Sequence, residues 1–233
     1  MLPLSHLNTA YAKLIFNKKK KKNMLSFIHP LLHKAIQRFS PCVLCGIDHQ
    51  RHHSVCTDCW QKLPWFKNVV QRQEMNIQVA CHYDYPMDRI IQKFKYEQQL
   101  HFQQLLAGAL IQLRIPKIQA IVPMPISSQR LAERGYNQSL VVAKLLAKQL
   151  NIPVWQPVSR LAQHSQKGMS RIERLDQIEQ QFVIAARPKI RYRKVLMLDD
   201  VVTTGSSLHA LKTKLDELGC QQIYAACIAS AEP

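Results

Sequence analysis

Residues 195–208 read VLMLDDVVTTGSSL, and this stretch decides the fold. Val195–Leu198 is wholly apolar, the pattern of a strand buried on both faces of a sheet. It delivers two carboxylates, Asp199 and Asp200, to its C-terminal end. Thr203, Thr204, Gly205, Ser206 and Ser207 follow and open a helix. In parallel α/β sheets, ligands bind beyond the carboxyl ends of the strands. A helix start presents unpaired N–H groups and the positive end of its dipole, which together suit a phosphate. Gly205 lets the backbone approach an anion closely, and the hydroxyls add donors. Carboxylates cannot hold a phosphate, but they accept hydrogen bonds from sugar hydroxyls or assist a divalent metal. The stretch therefore describes a site for a ribose 5-phosphate. Helix capping accounts for the hydroxyls; it does not require a carboxylate pair after a buried strand.

The flanking segments alternate in the same style. Strands are expected at 77–85, Ala120–Val122 and Ile223–Ala229, besides Val195–Leu198. Helices are expected at Leu100–Arg114, Ser139–Leu150 and Ser206–Leu218, the last stopped by Gly219. Apolar strands separated by amphipathic helices predict an α/β fold with a parallel sheet covered on both faces. The chain of 233 residues suits one such domain, 66–233, preceded by a small module at 24–65. Leu63-Pro64-Trp65 marks the boundary. Apolar content of 47% with 20% charged residues excludes a disordered or fibrous chain. No run reaches the roughly 18 apolar residues of a membrane span. Lys and Arg exceed Asp and Glu by 17, which points to a polyanionic partner.

The small module carries Cys42-x2-Cys45-x10-Cys56-x2-Cys59. Two such knuckles put four thiolates on tight turns, the arrangement tetrahedral zinc requires. Four thiolates leave no open position for water, so the zinc is expected to be structural. A redox pair is the alternative, disfavoured in a reducing compartment. His49, His52 and His53 in the spacer are expected to be solvated. Cys81, Cys220 and Cys227 lie in apolar contexts and read as small buried hydrophobes.

Residues 1–23 have no periodicity and end in Lys18–Lys22. Three readings remain: a solvated basic tail, a tail that binds membrane or DNA, or translated leader before a start at Met24. The last is preferred, because Met24 opens an amphipathic run. Without the six lysines of this segment the net charge is +11, so the chain is basic on every reading.

The 195–208 stretch resembles the phosphoribosyl pyrophosphate signature of type I phosphoribosyltransferases. The whole arrangement resembles the ComF family (competence protein F, ComFC or GntX-like), a four-cysteine zinc module followed by a phosphoribosyltransferase-like domain. Residues about 40–233 are covered. Tyr83-Asp84-Tyr85-Pro86, Ile90-Ile91 and Lys93-Phe94-Lys95-Tyr96 match one family segment. Val122-Pro123-Met124-Pro125, Arg130 and Arg134-Gly135-Tyr136-Asn137-Gln138 match another. Gln166, Ser170-Arg171, Arg174 and Phe182 match its mobile loop. Gln177 stands where the family has asparagine, and Gln180-Gln181 where it has small residues.

The resemblance implies that Asp199 and Asp200 hold ribose hydroxyls. It implies that Val202, Thr203, Thr204, Gly205, Ser206 and Ser207 surround the 5-phosphate. The loop after Pro123 would face the pyrophosphate, with Arg130 and Arg134 as its charged contacts, a role suited to the planar guanidinium fork. A solvated basic face is the alternative for those arginines, and for Arg171 and Arg174. Magnesium with phosphoribosyl pyrophosphate is the implied cofactor set, besides structural zinc. No residue stands out as a nucleophile, and a phosphoribosyltransferase needs none, since positioning and charge stabilisation suffice.

A second basic strip, Arg187, Lys189, Arg191 and Arg193 with Tyr192, combines cations with an aromatic ring as single-strand-binding surfaces do. Trp60, Trp65 and Phe66 could add stacking faces. The plain alternative is a soluble loop with the aromatics filling an interdomain contact. Two functions follow. One is a cytoplasmic protein of natural transformation that binds single-stranded DNA and a phosphoribosyl ligand, working with competence machinery near the inner membrane face. The other is an active phosphoribosyltransferase of nucleotide metabolism or salvage.

Overall fold

A computed structural model describes residues 39–161, 180–185 and 190–231. The basic leader, Met24, the loop residues Gln166, Ser170, Arg171, Arg174 and Gln177, and Arg187 and Lys189 of the strip lie outside the described residues. The expected parallel sheet is present with an antiparallel strand added at one edge. Its strands are β1 (Trp65–Arg72), β2 (Met75–His82), β3 (Ala120–Pro123), β6 (Lys194–Val202) and β7 (Gln222–Ser230), in the order β1-β2-β7-β6-β3. β2, β7, β6 and β3 run parallel, and β1 pairs antiparallel with β2. Strands β4 (Val158–Arg160) and β5 (Phe182–Ile184) form a separate antiparallel pair.

β1 has no counterpart in the sequence reading. As an edge strand it buries only Val70, so no apolar run marks it. Its hairpin turn puts Gln73 and Glu74 at φ 46° and 57°, a left-handed pair matched to hairpin twist. The turn is therefore built without the glycine or asparagine that would signal it.

Side chains of β6 alternate between two cores, as a strand covered on both faces must. Leu196 and Leu198 pack beneath helices α2 (Met87–Tyr96), α3 (Gln103–Ile111) and α5 (Gln138–Leu150). Val195 and Met197 pack beneath α6 (Ser206–Glu217), with Trp155, Val158 and Phe182. The remaining helices are short: α1 (Thr57–Gln61) and α4 (Ser128–Arg134). The helix expected at Leu100–Arg114 is a 3-10 turn, Leu100–Phe102, followed by α3. Gly219 ends α6 at φ 86°, as its position predicts.

β6 does not stop at Leu198. Its pairing with β7 continues to Val202–Ser230, whereas its pairing with β3 ends at Pro123–Leu198. Asp199 and Asp200 thus lie inside a strand, at the point where one neighbour has left the sheet. Met124 donates the last ladder bond, its N–H to Leu198 O at 2.8 Å, and the chain leaves the sheet after it.

The cysteine-bearing segment shares the first core. Cys42, Val55, Cys56 and Leu63 are buried against the same cluster as Ile91, Leu106 and Leu110. His53, expected to be solvated, instead packs on Trp60 with centroids 5.0 Å apart, and Trp60 meets Trp65 edge-on at 4.8 Å. The His53 ring lies over Gly108 of α3, where a Cβ would come within 2.2 Å of its Cγ. Gly108→Ala should therefore lower the thermal unfolding midpoint. Forcing a methyl into a packed contact costs about 1–3 kcal/mol, more than the roughly 0.5–1 kcal/mol gained from helix propensity. An unchanged or higher midpoint would show that His53 does not clamp this segment to α3.

Candidate functional site

Beyond the end of β3 lies a cavity of about 350 Å³ whose wall includes Lys95, Arg130, Arg134, Arg160, Asp199 and Asp200. Asp200 is 6% exposed. Its Oδ1 lies 2.8 Å from the Lys95 ammonium and accepts the Val201 N–H at 2.7 Å. Among the described residues its Oδ2 is buried without a hydrogen-bond partner, as is Oε1 of the cavity residue Gln138. Asp199 accepts from the Ser139 hydroxyl at 3.2 Å and from the Asp200 N–H at 2.9 Å. Burial, then the charge of Asp200, pushes the Asp199 carboxyl up to about 7, against the pull of Lys95. Burial draws Lys95 down, but its charge interaction and hydrogen bond with Asp200 outweigh that and raise it above the ordinary lysine value.

The arginines of the cavity come from two elements. Ser127 caps α4 by accepting the Arg130 N–H at 3.3 Å, and Gly135 closes the helix at φ 79°. The Arg134 guanidinium sits 5.0 Å from the Tyr96 ring centroid. Asn137 fixes the adjoining loop: its Nδ2 donates to Met124 O at 3.0 Å, while its Oδ1 accepts the Leu140 N–H at 3.1 Å to cap α5. Arg160 closes β4, where its Nε donates to Gln181 Oε1 at 3.2 Å and its guanidinium covers the Phe182 ring at 5.1 Å. Gln181, the departure from the family pattern, is buried and holds Arg160 at the cavity.

The hydroxyl loop adjoins through Ser207, which lines the cavity. Thr203 and Thr204 are exposed, and Thr204 Oγ1 lies 2.9 Å from Ser206 Oγ. Gly205 has φ 77°, and a Cβ there would come within 2.7 Å of the Arg72 Cβ, so glycine is required. Arg72 Nε donates to Thr203 O at 3.1 Å and anchors the turn. Two expected residues stand elsewhere. Val202 is buried in the second core, and Pro123 lines a neighbouring cavity of about 490 Å³. The sequence does not mark Lys95 and Arg160 as site residues: Lys95 is one of two lysines in α2, and Arg160 lies outside the matched segments. Only the fold brings them to the carboxylates.

The four cysteines converge. Sγ atoms of Cys42, Cys45, Cys56 and Cys59 all lie within 4.8 Å of one another, with Cys45 and Cys56 at 3.9 Å. A tetrahedron of thiolates about 2.3 Å from zinc has edges near 3.8 Å, so the donor set suits that ion. Burial pushes the Cys42 thiol up, but N–H groups of Cys45, Cys56 and Leu44 outweigh it and hold it down to about 6. Among the described residues this is the one such cluster of His, Cys, Asp or Glu. Of the basic strip, Arg191 and Arg193 are exposed. Tyr192 is half-buried, packing edge-on against Trp155 at 5.3 Å beside the second core. No helix among the described residues is long and apolar enough to cross a membrane.

The Asp199 carboxyl gives a pH signature. Its folded-state value of about 7 lies above the 3.8 of an ordinary aspartate, so the folded chain binds the extra proton between those values. The stability this contributes is full below the unfolded value and is lost as pH rises through the folded one. Asp199→Asn should gain on the parent protein from pH 4 to pH 7, then run parallel to it. Unfolding midpoints across that range, with a constant difference at every pH, would exclude the raised carboxyl.

Residues 137–232 match the phosphoribosyl transferase domain. Competence protein F of Haemophilus influenzae is 31% identical over 212 residues, covering 85% of this chain and 88% of that protein. Competence protein ComFC of Bacillus subtilis is 28% identical, covering 76% of this chain and 72% of its own. DNA utilization protein YhgH of Escherichia coli is 24% identical, with 80% and 82% covered. At the identity and coverage of the first of these, the chain belongs to the competence protein F (ComF) family.

Proposed function

We propose that this chain binds single-stranded DNA during natural transformation and holds a phosphoribosyl ligand, phosphoribosyl pyrophosphate or a related ribose phosphate, in the cavity beside β6. The observation that carries the ligand reading is the cavity itself, which brings Asp199 and Asp200 together with Arg130, Arg134 and Arg160, alongside Lys95 and Glu133. Carboxylates accept from a sugar diol, and guanidinium forks bind phosphate oxygens in pairs. Gln138 and the free lone pairs of Asp200 add buried acceptors with nothing to accept from among the described residues, which hydroxyl donors would satisfy. The DNA reading is supported by the net charge of +17 and by relatives named for competence and DNA utilization. We place the protein in the cytoplasm, with the uptake machinery as its company.

A magnesium ion arriving with the pyrophosphate would neutralise phosphate charge, and Asp199 and Asp200 are the residues that would face it. The Asp199–Asp200 and Thr203–Ser207 signature also favours a second reading, an active phosphoribosyltransferase. For that chemistry the arginines stabilise departing charge and the carboxylates orient the ribose. The cysteine cluster would carry structural zinc, closed to substrate by its four thiolates.

Calorimetry with phosphoribosyl pyrophosphate and magnesium tests the pocket. Asp200→Asn and Arg134→Ala should each weaken binding about ten- to a hundredfold, since a hydrogen bond to a charged group contributes about 1.5–3 kcal/mol. Wild-type protein giving no response at millimolar ligand would retire the pocket reading, and with it the transferase. Strand binding measured with and without the ligand, across a salt series, then separates the two functions. Turnover of ligand with an added base would favour the transferase; ligand-dependent strand affinity without turnover would favour DNA handling.

Metal content tests the cluster separately. Protein purified without chelator should hold one zinc ion per chain, and Cys56→Ser should lose both the ion and thermal stability, because metal binding there is part of folding. Metal-free wild-type protein with the same unfolding midpoint would exclude a structural metal.

A further inference from the structure

A base can stack only on an aromatic ring that has a face open to solvent. Trp60, Trp65, Phe66 and Tyr192 are half-buried, each with another ring beside its own. The Phe, Tyr and Trp side chains left exposed among the described residues are Phe39, Tyr85 and Tyr96, at 79%, 80% and 68%. Two of these three bracket α2. Tyr85 lies just before the helix, and Tyr96 is its last residue. Between them the exposed cations are Arg89 and Lys93. Arg89, Lys93 and Tyr96 follow the four- and three-residue steps of one helical face, and Tyr85 lies two residues before the helix begins.

We propose that this face of α2 is a track for single-stranded nucleic acid, with Tyr85 and Tyr96 stacking bases and Arg89 and Lys93 meeting the phosphates between them. The proposal rests on the DNA-binding reading above and says where the strand runs. The ten residues of α2 that separate Tyr85 from the far end of the helix span roughly 15 Å, a length of a few nucleotides. Tyr96 and Arg134 both line the cavity, so the track ends at its mouth. Arg134 covers one face of the Tyr96 ring, which leaves the opposite face to a base. Acidic neighbours limit the charge of the track: Asp84 is exposed, Asp88 lies 3.8 Å from Arg89, and Glu97 accepts from Gln99. Stacking therefore supplies most of its affinity. A lipid surface fits less well. Binding in a bilayer interface needs an apolar helix face, and that of α2 (Met87, Ile90, Ile91 and Phe94) is buried in the core.

The test is fluorescence anisotropy of a labelled oligothymidylate with the full chain. Tyr85→Ala and Tyr96→Ala should each weaken binding about five- to a hundredfold, the range of one lost base–aromatic stack. Tyr85→Trp should retain it. Arg89→Gln with Lys93→Gln should reduce the slope of log K against log salt by about 1.4, two phosphate contacts on a single strand. Both rings are exposed, so the variants should keep the parent unfolding midpoint; Tyr96→Leu replaces any variant that does not. If the parent binds and all these variants bind equally well, the track is overturned while the DNA reading stands, and loss in Arg191→Ala with Arg193→Ala would then favour the basic strip. A parent that binds no strand at low salt overturns both. Tyrosine variants that lose binding to phosphatidylserine vesicles but not to the oligonucleotide overturn the track in favour of a membrane contact.

Discussion

The buried pair of Lys95 and Asp200 is the constraint around which the site is arranged. A carboxylate 6% exposed cannot keep its charge without a partner. The 2.8 Å ammonium contact supplies one, and in doing so ties the end of α2 to the middle of β6. Such a pair contributes little net stability, because desolvation takes back most of the attraction, yet removing one partner strands a buried charge. A core of this apolarity would close over more economically with two hydrophobic residues. The pair is better explained by the cavity it faces. Among the described residues it leaves Asp200 Oδ2 without a partner, and burial, then the charge of Asp200, pushes Asp199 beside it up to about 7.

The cavity itself follows from unequal strand lengths. β6 keeps β7 as a partner through Val202 but loses β3 at Leu198. The chain leaves the sheet after Met124, and Asn137 fixes the loop that follows by bonding Met124 and capping α5. A longer β3 would fill the space with backbone. The arginines reach it from α4 and β4, each steered locally, by the Ser127 cap in one case and by Gln181 and Phe182 in the other. The carboxylates and the arginines that line the cavity therefore belong to different elements, and their meeting is a property of the topology.

This division explains what was legible in the sequence. Val195–Leu198 announced a strand buried on both faces because it is apolar throughout, and the two-core packing is what that pattern means. Asp199, Asp200 and Gly205 were legible because they sit within a few residues of one another. Lys95 and Arg160 reach the same cavity from 105 and 40 residues before Asp200, and neither the matched segment around Lys95 nor the chain around Arg160 says that they meet the carboxylates. β1 escaped notice because an edge strand needs few apolar residues and its turn uses Gln73 and Glu74. His53 was misread for a related cause. A polar ring in a His-rich spacer looks solvated, and only the small residue it covers, Gly108, lies far enough away in sequence to hide the contact. Gln181 reads as a departure from a pattern of small residues until Arg160 is seen to need its oxygen.

The cysteine module and the cavity share one layer of the molecule, which gives the cysteine cluster a reach beyond its own knuckles. Cys42, Val55, Cys56 and Leu63 pack in the same cluster as Ile90, Ile91 and Phe94 of α2. The polar edge of that helix carries Lys95 toward Asp200, and its exposed edge carries Arg89, Lys93 and Tyr96. One side of α2 therefore rests on the core that the cysteines help to fill, a second completes the cavity, and a third faces solvent. Because interiors are close-packed, a shift in one layer is passed to its neighbours instead of being absorbed. An ordered cysteine cluster is in this sense part of how Lys95 is aimed, although no cysteine lines the cavity.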